Sequence, residues 1–155
     1  MVAHACGTHY QWVVPCAEES MDRLPVDYGQ FAILIIEDQP FVRRIIAQIL
    51  SQIGFRTIIE AEDGESGLQA CIRSKPDLIL CDIDMKPVSG LDFLASLRAS
   101  AEVANPRTPV VFLTNHTESE IVKRGMALGV NGFVVKPPSL GALKERVDRL
   151  LPAPV

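Results

Sequence analysis

The chain has 155 residues, 48% of them hydrophobic and 22% charged, with a formal net charge of −4. That is enough for one domain with a proper core, and the acidic balance excludes the electrostatic footprint of a general nucleic-acid binder. No apolar stretch approaches the roughly 18 residues of a membrane span, and the N-terminus lacks the basic flank and apolar run of a secretory signal.

Residues 1–30 have no hydrophobic period and read as a mostly irregular N-terminal extension. Residues 1–28 are expected to be dispensable for folding, with Tyr10, Trp12, Val13 and Val14 as the alternative, a segment that docks on a partner or a second subunit. His4, Cys6, His9 and Cys16 are potential metal ligands, but their spacing matches no common zinc module. Cys71 and Cys81 fall inside apolar segments and read as small buried hydrophobes. With no export signal, a cytoplasmic location and reduced thiols are expected.

From Phe31 the texture changes. Phe31-Ala-Ile-Leu-Ile-Ile36 is apolar throughout, as a strand buried on both faces would be. Pro40 suits the first turn of a helix, Phe41, Ile45, Ile49 and Ile53 recur on one face, and Gly54 ends it. The alternation then repeats: strand 56–61, helix 64–74, strand 77–81, helix 91–100, strand 109–113, a helix opened by Thr117-x-x-Glu120 and running to about Leu128, strand 132–135, and a helix over 140–150. Five βα units of this kind predict an α/β fold, a doubly wound parallel five-stranded sheet in the flavodoxin-like order 2-1-3-4-5. The domain is read as residues 31–151, followed by a tail at 152–155.

In such sheets ligands bind at the carboxyl ends of the strands. There the sequence places Glu37 and Asp38 after the first strand, Asp82 after the third, Thr114 and Asn115 after the fourth, and Lys136-Pro137 after the fifth. Clustered carboxylates repel one another, and a hard cation such as Mg²⁺ relieves that repulsion while keeping room for phosphate oxygens. A carboxylate held there can attack phosphorus; an ammonium and a hydroxyl can neutralise and orient the phosphoryl oxygens.

With these residues in this order, the sequence resembles the receiver domains of bacterial two-component response regulators, single-domain and CheY-like. The residues that carry the resemblance are Glu37-Asp38, Asp82-x-x-Met85 with Gly90, Thr114, and Lys136-Pro137. The resemblance implies that Asp82 is the phosphoacceptor, and that Glu37, Asp38, Asp82 and the backbone carbonyl of Asp84 hold Mg²⁺ (or Mn²⁺). It implies that Thr114 and Lys136 contact the phosphoryl group, that Thr114 and Phe133 form a switch, and that Asp84 and His116 tune the lifetime of the acyl phosphate. The Lys136–Pro137 bond is expected to be cis. A histidine kinase or histidine phosphotransfer protein would supply the phosphoryl group. Output would be to a downstream protein target, through the helix from Glu118 to Leu128 (Ile121 and Lys123 as contacts), the strand at Phe133 and the last helix. Direct DNA binding and membrane insertion are not expected, and a homodimer is possible. The domain would be no enzyme beyond its own phosphorylation and dephosphorylation, and could act as a reservoir or relay.

Several positions depart from the common receiver pattern: Lys86 precedes Pro87 where many receivers have Pro, Asn115 replaces a small residue, Phe133 stands in place of Tyr, and Pro138 follows Pro137. A second resemblance, to haloacid-dehalogenase-like phosphohydrolases, rests on Asp82-Ile-Asp84, Phe112-Leu-Thr-Asn115 and Lys136. It leaves Glu37-Asp38 unexplained, and no acidic motif follows Lys136 at a strand end, since Glu145 and Asp148 fall within the last helix.

Overall fold

The structure is a computed structural model that describes residues 26–115 and 119–152. The sequence-derived readings for His4, Cys6, His9, Tyr10, Trp12, Val13, Val14, Cys16, His116, Thr117 and Glu118, and for residues 153–155, lie outside the described residues.

Five strands, β1 (Ala32–Ile36), β2 (Thr57–Ala61), β3 (Leu78–Asp82), β4 (Val110–Thr114) and β5 (Gly132–Val135), form one sheet in the order β2-β1-β3-β4-β5. Every pairing is parallel. The helices between them are α1 (Pro40–Ile53), α2 (Gly64–Ser74), α3 (Gly90–Ala99), α4 (Ser119–Ala127) and α5 (Leu140–Leu150). This is the flavodoxin-like α/β topology that the alternation predicts. None of these helices is long and apolar enough to cross a membrane.

Strand alternation divides the core in two. Leu34, Ile36, Ile79, Cys81 and Phe112 point to one face and pack with residues of α2, α3 and α4. Ile33, Ile35, Leu78, Leu80, Val111 and Leu113 point to the other and pack with Ile46 and Leu50 of α1 and Leu143 and Val147 of α5. The central strands are apolar because both their faces are covered. The edge strand β2 is not, and Thr57 and Glu60 are exposed.

Local chemistry sets the helix ends. Pro40 occupies the first turn of α1, and Gly54, at φ 129°, closes it. Asp63 and Ser66 form a reciprocal capping box on α2, while Ser89 and Ser139 cap α3 and α5. Helix α2 ends on Lys75 in the left-handed conformation, a position usually given to glycine.

Two differences from expectation bear on the site and on the extent of the packed unit. Strands β3 and β4 each run one residue further, so Asp82 and Thr114 are the last residues of their strands. Ladder pairing causes this: Asp82 is level with Leu113, and the Ile83 N–H still donates to the Leu113 carbonyl at 3.1 Å. The packed unit also begins before residue 31. Asp27 caps a 3-10 turn over Tyr28–Gln30. The Tyr28 hydroxyl donates to Asp148 on α5, and its ring packs against Phe55 at 5.4 Å between centroids. The Lys144 ammonium lies 5.8 Å from the Tyr28 ring and pairs with Asp148 at 2.8 Å. A lone aromatic in a short turn has no periodicity by which a sequence could announce it.

Truncating Tyr28 should therefore destabilise the domain. Tyr28→Ala loses ring burial and a hydrogen bond, about 2 kcal/mol, and Tyr28→Phe loses only the hydroxyl, about 1 kcal/mol. Urea midpoints for the two variants should fall in that order, and an unchanged midpoint for Tyr28→Ala would show that the turn does not hold the domain together.

Candidate functional site

The strands end nearly level, so the residues at their carboxyl ends meet. Ile36 is level with Cys81, which brings Glu37 beside Asp82. Thr114 is level with Val135, and the Lys136 N–H donates to the Thr114 carbonyl at 2.8 Å. Lys136 then reaches back across the sheet edge. Its ammonium lies 3.0 Å from Glu37 Oε2 and 3.0 Å from Asp82 Oδ1. Glu37, Asp82 and Thr114 are all nearly inaccessible to solvent, at 0%, 2% and 2% exposure, while Asp38 is exposed. The Asp84 N–H donates to Asp82 Oδ1 at 3.1 Å, and the Gln39 N–H to Glu37 Oε1 at 3.3 Å.

The loop after β3 is closed by Gly90. Its N–H donates to the Ile83 carbonyl at 3.0 Å. A Cβ there would lie 2.6 Å from the Asp82 carbonyl oxygen and 2.8 Å from Ile83 Cα, so backbone would have to move to admit any other residue. Two peptide bonds near the site are cis, Lys86–Pro87 in this loop and Lys136–Pro137 after β5. Only the second was expected.

One oxygen each from Glu37, Asp38 and Asp82 lie within 4.8 Å of one another. Two oxygens bound to one Mg²⁺ at ~2.1 Å are at most about 4.2 Å apart, so a small closure would bring all three onto one ion. Glu37 Oε2 is buried and makes no aligned hydrogen bond despite the nearby ammonium. A buried, under-satisfied carboxylate oxygen in an oxygen-only cluster fits a hard divalent cation.

The sequence of residues 33–148 matches the family described as the response regulator receiver domain. The chain belongs to that family. Among its relatives, chemotaxis protein CheY-3 of Vibrio cholerae serotype O1 is 33% identical over 118 residues, which cover 76% of this chain and 89% of that protein. Chemotaxis protein CheY of Pseudomonas aeruginosa is 32% identical, over 76% of this chain and 94% of the relative. Among solved structures, CheY4 of Vibrio cholerae superimposes with a TM-score of 0.71 at 27% identity, over 79% of this chain and 100% of that one.

As a receiver domain the protein is a phosphoacceptor and not a conventional enzyme, which decides between the two resemblances that the sequence carries. Receiver domains typically use Mg²⁺, and the acidic pocket of Glu37, Asp38 and Asp82 is consistent with that. Both described cysteines, Cys71 and Cys81, are buried and held in the thiol form. Burial pushes the Cys71 thiol up to about 12. Burial, then the charge of Asp82, pushes Cys81 well above its usual range, and its Sγ lies 3.3 Å from the Asp82 carbonyl. Phe133 is half-buried, with its ring 5.9 Å from that of Phe112. Ile121 packs partly against the core, so it is less available as a contact than the sequence suggests, whereas Lys123 and Met126 are exposed.

Electrostatics in the receiver pocket are dominated by burial. Desolvation raises the Glu37 carboxyl to about 7, against the Lys136 ammonium, which lowers it, and with Asp82, which raises it. Burial works against the charge on Lys136, but its contacts with Asp82 and Glu37 outweigh it, so the ammonium stays protonated above its ordinary range. Between the usual carboxylate range and about pH 7 the unfolded chain has released the Glu37 proton and the native one keeps it. The metal-free domain should therefore lose stability as pH rises from about 4.5 to about 7. Glu37→Gln should flatten that part of the profile, as read from urea midpoints in chelator at several pH values. A wild-type profile that rises across this window and matches the variant's would show that Glu37 ionises freely.

Proposed function

We propose that Asp82 is the phosphoacceptor, and that Thr114 and Lys136 serve the phosphoryl group. The observation that carries this reading is the Lys136 ammonium 3.0 Å from Asp82 Oδ1, at the buried carboxyl edge of the sheet. Mg²⁺ (or Mn²⁺) would be held by Glu37, Asp38, Asp82 and the Asp84 backbone carbonyl, and when bound it supplies neutralising charge to the phosphoryl oxygens. Asp82 attacks phosphorus through a carboxylate oxygen. An O–P bond forms as the P–N bond of a donor phosphohistidine breaks, and the donor imidazole keeps the electron pair. Lys136, already placed beside the attacking group, pairs with a phosphoryl oxygen as charge redistributes, and the Thr114 hydroxyl donates to another. Position and fixed charge, more than proton transfer, do the work.

The donor is a histidine kinase or a histidine phosphotransfer protein in the cytoplasm, and the readout is contact with a downstream protein rather than with DNA. Homodimerisation is one form that contact can take. The domain equally suits a reservoir or relay in which the phosphoryl group passes on. Asp84 tunes the acyl phosphate's lifetime, supported by its N–H contact with Asp82 and its exposed carboxylate beside the water's path. His116 has the companion role.

Incubation with acetyl phosphate and Mg²⁺ should add one phosphoryl group by intact mass. Chelation should prevent it, and Asp82→Asn should abolish it, because an amide is a poor nucleophile. Undiminished labelling of that variant would refute the assignment. Asp84→Asn should still be labelled, and its acyl phosphate should differ in half-life by a few-fold, because removing an exposed charge two residues from the phosphoacceptor modestly alters the field acting on the phosphoryl group and on an attacking water. Equal half-lives would remove Asp84 from the mechanism.

The switch we propose couples Thr114 to Phe133. Drawing Thr114 toward a phosphorylated Asp82 opens room beside β4 into which the half-buried Phe133 ring moves further, with about 25 cal/mol gained per Å² removed from water. The exposed apolar side chains Met126 on α4, Val135 on β5 and Leu140 on α5 support an output face there. Beryllofluoride with Mg²⁺ should shift the backbone amides of α4, β5 and α5. Shifts confined to the loops after β1 and β3 would exclude this switch.

A further inference from the structure

We infer that Arg43 is a positioning residue for the acidic pocket, holding the Glu37–Asp38 peptide in place through a clamp shared with Glu60; this rests on the reading of that pocket as the Mg²⁺ site. Arg43 lies in the first turns of α1, one helical turn past the acidic pair. Its Nη1 donates to the Glu37 backbone carbonyl at 2.6 Å, and its Nε donates to Glu60 Oε1 at 3.0 Å. On the other side of the same residue, the Glu37 N–H donates to the Ala61 carbonyl at 3.1 Å. Glu37 is thus tied to β2 twice, directly through its N–H and through the guanidinium at its carbonyl.

Nothing within α1 itself balances the Arg43 charge. A cation near a helix N-terminus opposes the helix dipole. Gln39, the N-cap of α1, makes no side-chain capping bond, and the first turn carries no acidic residue to offset Arg43. Its charge is met instead by Glu60, which strand alternation directs to the face that α1 covers: Ile58, two residues back, packs in that same core. A planar fork with separate donors can bridge a carbonyl and a carboxylate at once, which an ammonium cannot do as well. Freeing the Glu37 carbonyl would let the peptide between the two carboxylates rotate, and the three oxygens would no longer converge. Partners of this kind typically matter by 10- to 100-fold in metal affinity.

The direction of the effect separates this role from the alternatives. If Arg43 acted only by its charge, removing it would reduce repulsion and tighten Mg²⁺. If it only stabilised the fold, affinity would not move. Positioning predicts looser binding. Mg²⁺ dissociation constants should be measured by calorimetry or by amide shifts of Asp38 and Asp82, with urea midpoints measured alongside. Arg43→Met should weaken Mg²⁺ by about tenfold, and Arg43→Lys by less. Glu60→Gln should weaken it a few-fold in the wild-type background and not at all in the Arg43→Met background, because Glu60 acts through the guanidinium. Unchanged or tighter binding by Arg43→Met overturns the inference. Should that variant not fold, unchanged binding by Glu60→Gln overturns it instead. Wild-type protein that binds no Mg²⁺ overturns the reading of the pocket itself, a separate result.

Discussion

Like charge held out of water is the constraint around which this fold is organised. Glu37 and Asp82 are almost wholly buried and approach each other at the edge of the sheet, with Asp38 just outside. Two ionised carboxylates in such a place repel strongly and lose hydration as well. The ammonium of Lys136 makes the arrangement tolerable, 3.0 Å from an oxygen of each. It arrives there from the opposite half of the sheet, beyond β4. Strand order, strand length and the level carboxyl ends all bear on whether that one ammonium can reach, which is why the ladder and the chemistry cannot be varied independently.

One ammonium does not neutralise three carboxylates. Burial, with the charge of Asp82 added, keeps the Glu37 carboxyl raised, and its Oε2 stays poorly satisfied. Such a pocket is stable enough to fold and uncomfortable enough to gain from an added cation or from conversion of a carboxylate to another group. Gly90 contributes by letting the start of α3 press against the Asp82 backbone, which keeps the loop of Asp84 close over the pocket.

Much of this was legible in the sequence because it is local. The apolar run of Ile33–Ile36, the reach of α2 from Gly64 to Ser74 and the short β5 follow from periodicity and from the turn residues between elements. The residues at the strand ends could be named because the α/β alternation says which ends share an edge. What escaped was non-local. Asp82 and Thr114 belong to the ladder only because a neighbouring strand offers partners. Tyr28 gains its place from Phe55 and Asp148, far along the chain. Arg43 and Glu60 look like ordinary solvated charges on a polar helix face and an edge strand, and no spacing rule joins them. Met126 is a hydrophobe on an exposed face, invisible until the orientation of α4 is known.

The Tyr28 turn also fixes where the backbone comes in. Tyr28 stands against Gly54 and Phe55, just ahead of the amino ends of β1 and β2. The acidic pocket lies at the other end of those five-residue strands, ~16 Å away at ~3.3 Å per residue. The described fold is thus polar in a practical sense: its amino-terminal doorway and its reacting groups occupy opposite poles. A fluorophore or surface tether attached at residue 26 or 27 would leave the carboxyl edge of the sheet open to a donor protein, whereas the same attachment on the loops after β3 or β5 would stand in the donor's way.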